Sequence, residues 1–238
     1  MMQLDAQRLA ALLNMPELTV FVYDTLDSTN DECRRKLAAG EGPCLVLAEI
    51  QTSGKGRSGK SFYSPEGGLY MSIALPGDSE VVGITCRAAV AAAEAIEAVT
   101  GISCGIKWVN DLYLHGKKIC GILAERTNDG VILGIGINLR PTAVPEELKH
   151  IVGFLDCGDV RELLAAKLTE RLLSKGDYMQ EYRRRSVVLG KDIFCRVGNR
   201  SFTAKATEIL DDGSLLVIGP DGRECLQFGE VFLGGDFN

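Results

Sequence analysis

The period of apolar positions changes several times along the chain, and each change predicts an element. Leu4, Leu9, Leu12 and Leu13 recur at helical spacing over residues 3–14, and Pro16 ends the run. Thr19-Val20-Phe21-Val22-Tyr23 predicts a strand. Ser28 with Asp31, or Thr29 with Glu32, is a helix-start signature, and Gly40 closes the helix it opens. Leu45-Val46-Leu47-Ala48 and the alternating Leu69–Leu75 predict two more strands. Residues 83–100 are rich in alanine and predict a helix stopped by Gly101. Ile102–Val109, the segment to Leu114, Lys118–Glu125 and Val131–Asn138 are separated by His115-Gly116-Lys117 and Asn128-Asp129-Gly130, and predict consecutive antiparallel strands. One helix is expected over 159–184.

From Asp192 to Phe232, short alternating segments are broken at Gly198-Asn199, Asp211-Asp212-Gly213 and Pro220-Asp221-Gly222. They predict a small SH3-like module of about five strands. The expectation is an α+β chain with a mixed, largely antiparallel sheet over 1–185, a linker at 186–191, and the β module within 186–238.

Composition narrows the function classes. With 46% hydrophobic and 24% charged residues, the chain has a core of ordinary size. A net charge of −6 disfavours general nucleic-acid binding. No apolar run is long enough for a membrane span, and the first residues lack a signal-peptide pattern. Eight scattered cysteines without a CxxC pair, and only two histidines, argue against a zinc site formed by His and Cys. They fit a reducing, cytoplasmic setting with most thiols in the core. Arg183-Arg184-Arg185 reads as a solvated helix end.

The cations concentrate in residues 51–65, where Gly54, Gly56 and Gly59 alternate with Lys55, Arg57 and Lys60. Glycine lets backbone N–H groups approach a ligand, and the cations suit a phosphate or carboxylate. The stretch matches both GxGxxG and GxxxxGK[ST], but each of those needs a helix immediately afterwards. Pro65 and Gly67-Gly68 forbid one, so a nucleotide-binding P-loop is rejected. Three further glycines, Gly121, Gly134 and Gly136, lie inside strands, where they mark either bulges or close approach by a ligand or backbone. The hydroxyls of Ser28 and Thr29 either cap the helix or meet a polar ligand.

Five blocks in order resemble the biotin–protein ligases: Ser28-Thr29-Asn30, the Gln51–Phe62 loop with Ser64-Pro65, Lys107-Trp108-Val109-Asn110-Asp111, Lys117-Lys118-Ile119-Cys120-Gly121, and Gly134-Ile135-Gly136-Ile137-Asn138. The resemblance runs from about residue 20 onwards, and fewer than 20 residues precede it, which implies the enzyme-only form without a DNA-binding domain. It implies a class II synthetase-like catalytic domain, with ATP and biotin as substrates and Mg²⁺ accompanying the phosphates. Biotin would be activated as biotinyl-5′-AMP and passed to a lysine of a biotin carboxyl carrier domain. By the same resemblance, Ser28 and Thr29 meet the ureido end of biotin and Gln51 a ureido N–H, with Asn30 in the same biotin site. Gly121, Gly134 and Gly136 leave room for the ring and tail, Leu123 belongs to the same biotin site, and Gly54, Lys55 and Gly56 close over the top. Arg57 and Lys118 face the carboxylate and the α-phosphate. Lys60, Phe62, Lys107, Asn110 and Asn138 meet ATP. Asp111 serves either the Mg²⁺ side or the acceptor lysine. Trp108 is expected in the core.

The sequence departs from the family pattern at several points. Lys55, Ser58 and Lys60 stand where many members have Arg, Phe62 where Trp is common, Val109 where Pro is usual, and Gly234 where some carry Arg. A lipoate ligase of the same broad fold is the nearest alternative; the terminal β module and the Lys-Trp-x-Asn-Asp segment favour biotin. A non-enzymatic acid-binding module would not need both Arg57 and Lys118. The sequence leaves a homodimer open.

A glycine-rich loop loses much entropy on ordering. Without ligand, the amides of residues 53–61 are therefore expected to exchange hydrogen faster than those of the strands. Protection equal to the core would contradict a mobile flap.

Overall fold

The computed structural model describes residues 3–77, 81–140 and 144–234. Its central feature is a seven-stranded sheet in the order β1-β2-β3-β7-β6-β5-β4. The strands are β1 (Thr19–Leu26), β2 (Cys44–Gln51), β3 (Leu69–Pro76), β4 (Gly105–Lys107), β5 (Asp111–Leu114), β6 (Lys117–Arg126) and β7 (Gly130–Ile137). Only β1 and β2 run parallel, joined across helix α2 (Thr29–Ala38); every other pairing is antiparallel. The mixed, largely antiparallel sheet expected from the sequence is therefore present.

Alternation along the strands gives the sheet two different faces. One face presents Leu45, Leu47, Met71, Ile73, Cys120, Ile122, Ile135 and Ile137 to the main core. Helices α1 (Ala6–Leu13), α3 (Val81–Thr100) and α4 (Arg161–Leu173) supply the other side of that core. On the opposite face, α2 packs Cys33 and Leu37 over Cys44, Val46, Ala74 and Ile132. The rest of that face is left for the glycine loop. Six of the eight cysteines are buried, as small core residues should be.

A second, antiparallel sheet follows in the order β11-β10-β9-β8-β12. Its strands are β8 (Asp192–Val197), β9 (Arg200–Ile209), β10 (Leu215–Gly219), β11 (Gly222–Leu226) and β12 (Glu230–Leu233), broken at the three turns read from the sequence. The stretch expected as a linker is bonded on both sides: Val187 N–H donates to Ile106 O and Gly190 N–H to Ala206 O. The indole N–H of buried Trp108 reaches Gly213 O at 2.9 Å, tying the two sheets together.

Three local expectations are corrected. The helix expected over 159–184 is two, α4 and α5 (Met179–Arg185), because Ser174 turns extended at the end of α4 and Gly176 lies in the gap. The strand expected over 102–109 keeps only β4; residues 108–110 form the turn of a tight β4–β5 hairpin with Lys107 opposite Asp111. Asn110 holds that turn by donating from Nδ2 to Ile122 O at 2.8 Å. Lastly, Arg183-Arg184-Arg185 is not simply solvated: Arg185 is buried between Glu97 and Glu181, and Arg183 donates to Ile209 O. Among the described residues, no helix is long and apolar enough to cross a membrane.

Arg161 is fully buried and pairs with Glu49 and Asp159 at the start of α4. Glu49 also accepts from Leu4 N–H at 2.7 Å, so one charge cluster joins β2, α4 and the chain leading into α1. Removing one partner strands buried charge. Arg161→Ala should cost about 3–5 kcal/mol of stability, read from the urea midpoint at unchanged slope.

Candidate active site

Gly121 of β6 sits directly opposite Gly136 of β7, and Leu123 opposite Gly134. Paired residues point to the same face, so three glycines leave a patch of bare sheet. A Cβ at Gly134 would stand 2.1 Å from Asn30 Oδ1, and one at Gly136 only 2.4 Å from the Phe62 ring. At Gly121 it would meet the Phe62 ring at 2.9 Å and the Lys118 side chain at 3.1 Å. The space expected for a ring and tail is thus shared by Asn30 and Phe62 of the protein itself.

A cleft of about 450 Å³ opens over this patch, lined by Ser28, Thr29, Asn30, Gln51, Lys55, Gly56, Arg57, Phe62, Asn110, Lys118, Gly121, Leu123, Gly134 and Gly136, with Ile122 and Ile135. Most of the residues singled out in the sequence therefore converge. A second cleft of about 750 Å³ adjoins it across Phe62 and Lys118. Asn138 lines this one together with apolar Tyr63, Tyr70, Val144, Leu148, Val152 and Phe154. Phe62 meets Tyr70 edge-on, with ring centroids 6.4 Å apart, and Lys118 Nζ lies 5.9 Å from its ring centre.

The polar end of the first cleft is wired through buried groups. Ser28 occupies the N-cap position of α2, makes no side-chain capping bond and lines the cleft. Gln51 Oε1 accepts from Thr29 N–H at 2.9 Å and lies 3.0 Å from Thr29 Oγ1. The backbone donor fixes which amide atom faces it. Gln51 Nε2 donates to Ser64 Oγ at 2.8 Å. Gln51 therefore offers its remaining Nε2 hydrogen to a ligand, and a ligand N–H would reach Oε1 only by displacing Thr29. Asn30 Nδ2 donates to Glu125 at 2.7 Å, and buried Ser72 Oγ stands within 2.7 Å of both Thr29 Oγ1 and Asn30 Oδ1. Ser72 and Glu125 escaped the sequence reading; the one trace of Ser72 is a hydroxyl at an otherwise apolar strand position.

The glycine loop folds back as a narrow hairpin, with bridges Gln51 to Ser64 and Lys55 to Ser61. Phe62 N–H donates to Gly54 O at 2.8 Å, and a Cβ at Gly54 would stand 2.4 Å from Phe62 O, so only glycine fits there. Residues 57–59 make a single 3₁₀ turn with Ser58 left-handed at φ 55°. No helix follows, as expected. Every loop cation is held by the protein. Lys55 pairs with Asp31 of α2 at 2.6 Å. Arg57 donates to Asn110 Oδ1 at 2.9 Å and Gly229 O at 3.0 Å. Lys60 pairs with Glu230 and lines neither cleft.

On the opposite wall, Lys118 Nζ lies 2.7 Å from Asp111 Oδ1, close enough for an ion pair but without hydrogen-bond direction. Lys107 is not in either cleft; it is buried beneath the hairpin, donating to Tyr113 Oη at 3.0 Å and lying over the Tyr113 and Phe232 rings. The arrangement sets a cationic flap and a lysine around one pocket, beside an apolar slot with an aromatic divider.

The model of the biotin/lipoate A/B protein ligase family matches residues 22–141. The chain belongs to that family. The bifunctional ligase/repressor BirA of Bacillus subtilis (strain 168) is 31% identical over 239 residues, 90% of this chain and 74% of its own. The biotin–[acetyl-CoA-carboxylase] ligase of Paracoccus denitrificans is 32% identical over 240 residues, 88% of this chain and 98% of its own. Among solved structures, biotin protein ligase from Aquifex aeolicus in complex with biotin and ATP superposes with a TM-score of 0.78 at 27% identity, covering 92% of this chain and 98% of that one. The family model ends before the second sheet, whereas the similarity to these relatives extends over about nine-tenths of the chain.

The close approach of Asn30 to Gly134 makes a direct test. Gly134→Ala forces Asn30 off Glu125 and Ser72, and should destabilise by about 1–3 kcal/mol. Gly176→Ala has open space around it and should stay within about 0.5 kcal/mol. Urea denaturation of both reads the contrast.

Proposed function

We propose that the protein is an ATP-dependent biotin–protein ligase that makes biotinyl-5′-AMP and then transfers biotin to a lysine of a biotin carboxyl carrier domain. The observation that carries this reading is that Arg57 of the flap and Lys118 of β6 line the same glycine-floored cleft. In the first step a biotin carboxylate oxygen attacks the α-phosphorus of ATP, and pyrophosphate leaves. Two anions must meet. At about 4 Å and an effective dielectric near 20, unit charges repel by about 4 kcal/mol. Fixed cations on either side offset this and stabilise charge at the transferring phosphorus.

The bicyclic ring lies against the bare sheet, with Ser28, Thr29 and Gln51 at its polar end. That end has no use for the alkyl or dithiolane tail of lipoate, which favours biotin within the family. For the ring to occupy the patch, Phe62 moves off Gly121 and Gly136. It then divides the first cleft from the adenine, for which the apolar second cleft with Asn138 is the natural seat. Asn110 keeps Arg57 aimed. Lys107 acts as a structural support rather than an ATP contact.

Asp111 holds Lys118 through its buried Oδ1, 2.7 Å from Nζ. Once Lys118 turns to the phosphate, that carboxylate would serve either a Mg²⁺ ion carried on the triphosphate or the acceptor lysine. Mg²⁺ would supply charge neutralisation; with no cluster of three His, Cys, Asp or Glu among the described residues, its other ligands would come mainly from phosphate and water. In the second step the neutral amine of the carrier lysine attacks the acyl carbonyl and AMP leaves.

We assign residues 1–185 to the catalytic domain and 186–238 to the terminal module. A cytoplasmic setting fits the cysteines, six of them buried core residues.

Biotin-dependent exchange between ATP and pyrophosphate tests the assignment, with lipoate and octanoate as controls. Exchange with biotin alone is expected; exchange with lipoate instead would move the chain to the other branch. Lys118→Ala should lower the adenylation rate about 100- to 1000-fold with the fold retained by circular dichroism. An unchanged rate would remove Lys118 from the mechanism.

A further inference from the structure

The tip of the flap is gripped by one strand of the second sheet. The 3₁₀ turn closes with Lys60 N–H on Arg57 O at 3.1 Å. Arg57 then reaches Gly229 O and Lys60 reaches the Glu230 carboxylate, at consecutive positions where β12 begins. Glu230 also lies 3.9 Å from Arg196 of β8. Burial works against the Glu230 carboxylate, yet the hydrogen bond from Lys60 and the charges of Lys60, Arg196 and Arg57 hold its pKa below the usual carboxylate range. Glu230 is therefore ionised at neutral pH, and it holds the cation at the flap tip.

We propose that Glu230 is a positioning residue that sets nucleotide affinity by competing with the ATP triphosphate for Lys60. Without nucleotide, Lys60 is parked on Glu230 and the flap tip stays docked on β12. An incoming triphosphate, carrying more negative charge than one carboxylate, takes Lys60 over, while Arg57 can keep its backbone contact to Gly229. Lys60 exchanges one anion for another, so nucleotide binding is weakened by whatever the Glu230 pair contributes. Lys60 leaves the second sheet only when its charge is needed at the phosphates. This rests on the ligase reading for the identity of the competing anion; the docking of the flap by Glu230 does not.

Two readouts separate those claims. In ligand-free protein, trypsin cleavage after Lys55, Arg57 and Lys60 should be faster in Glu230→Gln than in the parent, because the tip is no longer held. Equal cleavage would overturn the docking. In the exchange assay, Glu230→Gln should lower the KM for ATP by about 2- to 5-fold, the range expected for a partly exposed ion pair, with a smaller change in kcat. Lys60→Gln should raise that KM, and adding Glu230→Gln to it should change nothing further, since the competition needs both partners. A KM for ATP unchanged or raised in Glu230→Gln, in a protein whose parent shows biotin-dependent exchange, would overturn the competition. So would a full Glu230→Gln effect in the Lys60→Gln background. A parent without exchange would instead refute the ligase reading and leave the trypsin comparison standing. Glu230→Asp, which keeps the charge and shortens the reach, guards against a folding artefact: it should fall between the parent and Glu230→Gln in both assays, and values beyond Glu230→Gln would count against the pairing.

Discussion

The structure depends on a sheet surface from which side chains have been removed. Gly121 and Gly136 face one another across β6 and β7, with Gly134 two pairs further on and on the same face. Glycine weakens a strand, and here the loss is concentrated where three side chains lie against the backbone. Asn30 comes down from α2, Phe62 from the flap, and Lys118 folds over from its own strand. Any Cβ in the patch would push at least one of them away. The apolar face on the reverse, built from isoleucine, leucine and methionine against α3 and α4, makes such a thin strand pair tolerable.

Around that surface the polar groups are arranged so that few are idle. Thr29, Gln51, Ser64, Ser72, Asn30 and Glu125 form a connected set reaching from α2 to β6, and the cations of the flap each have a partner on a different element. The flap is therefore docked by charge at its tip and by backbone bridges at its base. Its stem is short of apolar contacts, and that suits a segment which must exchange partners when an anion enters. The second sheet belongs to the same device: Trp108 anchors it to the β4–β5 hairpin, and β12 presents Gly229 and Glu230 to the flap.

Much of this was legible in the sequence, and the reasons are specific. The flap announces itself because glycines and cations alternate in an acidic chain, and Pro65 with Gly67-Gly68 excludes the helix that a P-loop requires. The strand glycines were visible as breaks in an apolar run, but whether they faced a ligand, a bulge or the protein's own side chains depended on register, which pairs residues far apart in sequence. Lys107 reads as a nucleotide contact because it precedes Trp108 in a recognisable block; the structure buries it against Tyr113, outside both clefts. The single helix expected over 159–184 failed at Gly176, where periodicity resumes on both sides and hides the gap. Asp31, Glu125 and Glu230 carried no sequence signal as partners, since an acidic residue on a helix or strand reads as solvated until a cation from another element is placed against it.

The central claim is that the flap and β6 bring Arg57 and Lys118 to one phosphate above the glycine patch once Phe62 has moved aside. A crystal structure with a non-hydrolysable biotinyl-adenylate analogue tests it most directly. The account predicts the ring on Gly121, Gly134 and Gly136, the phosphate mimic within hydrogen-bonding reach of both Arg57 and Lys118, and Phe62 displaced toward the adenine. An analogue bound elsewhere, or bound with Phe62 still lying on Gly121 and Gly136, would contradict it.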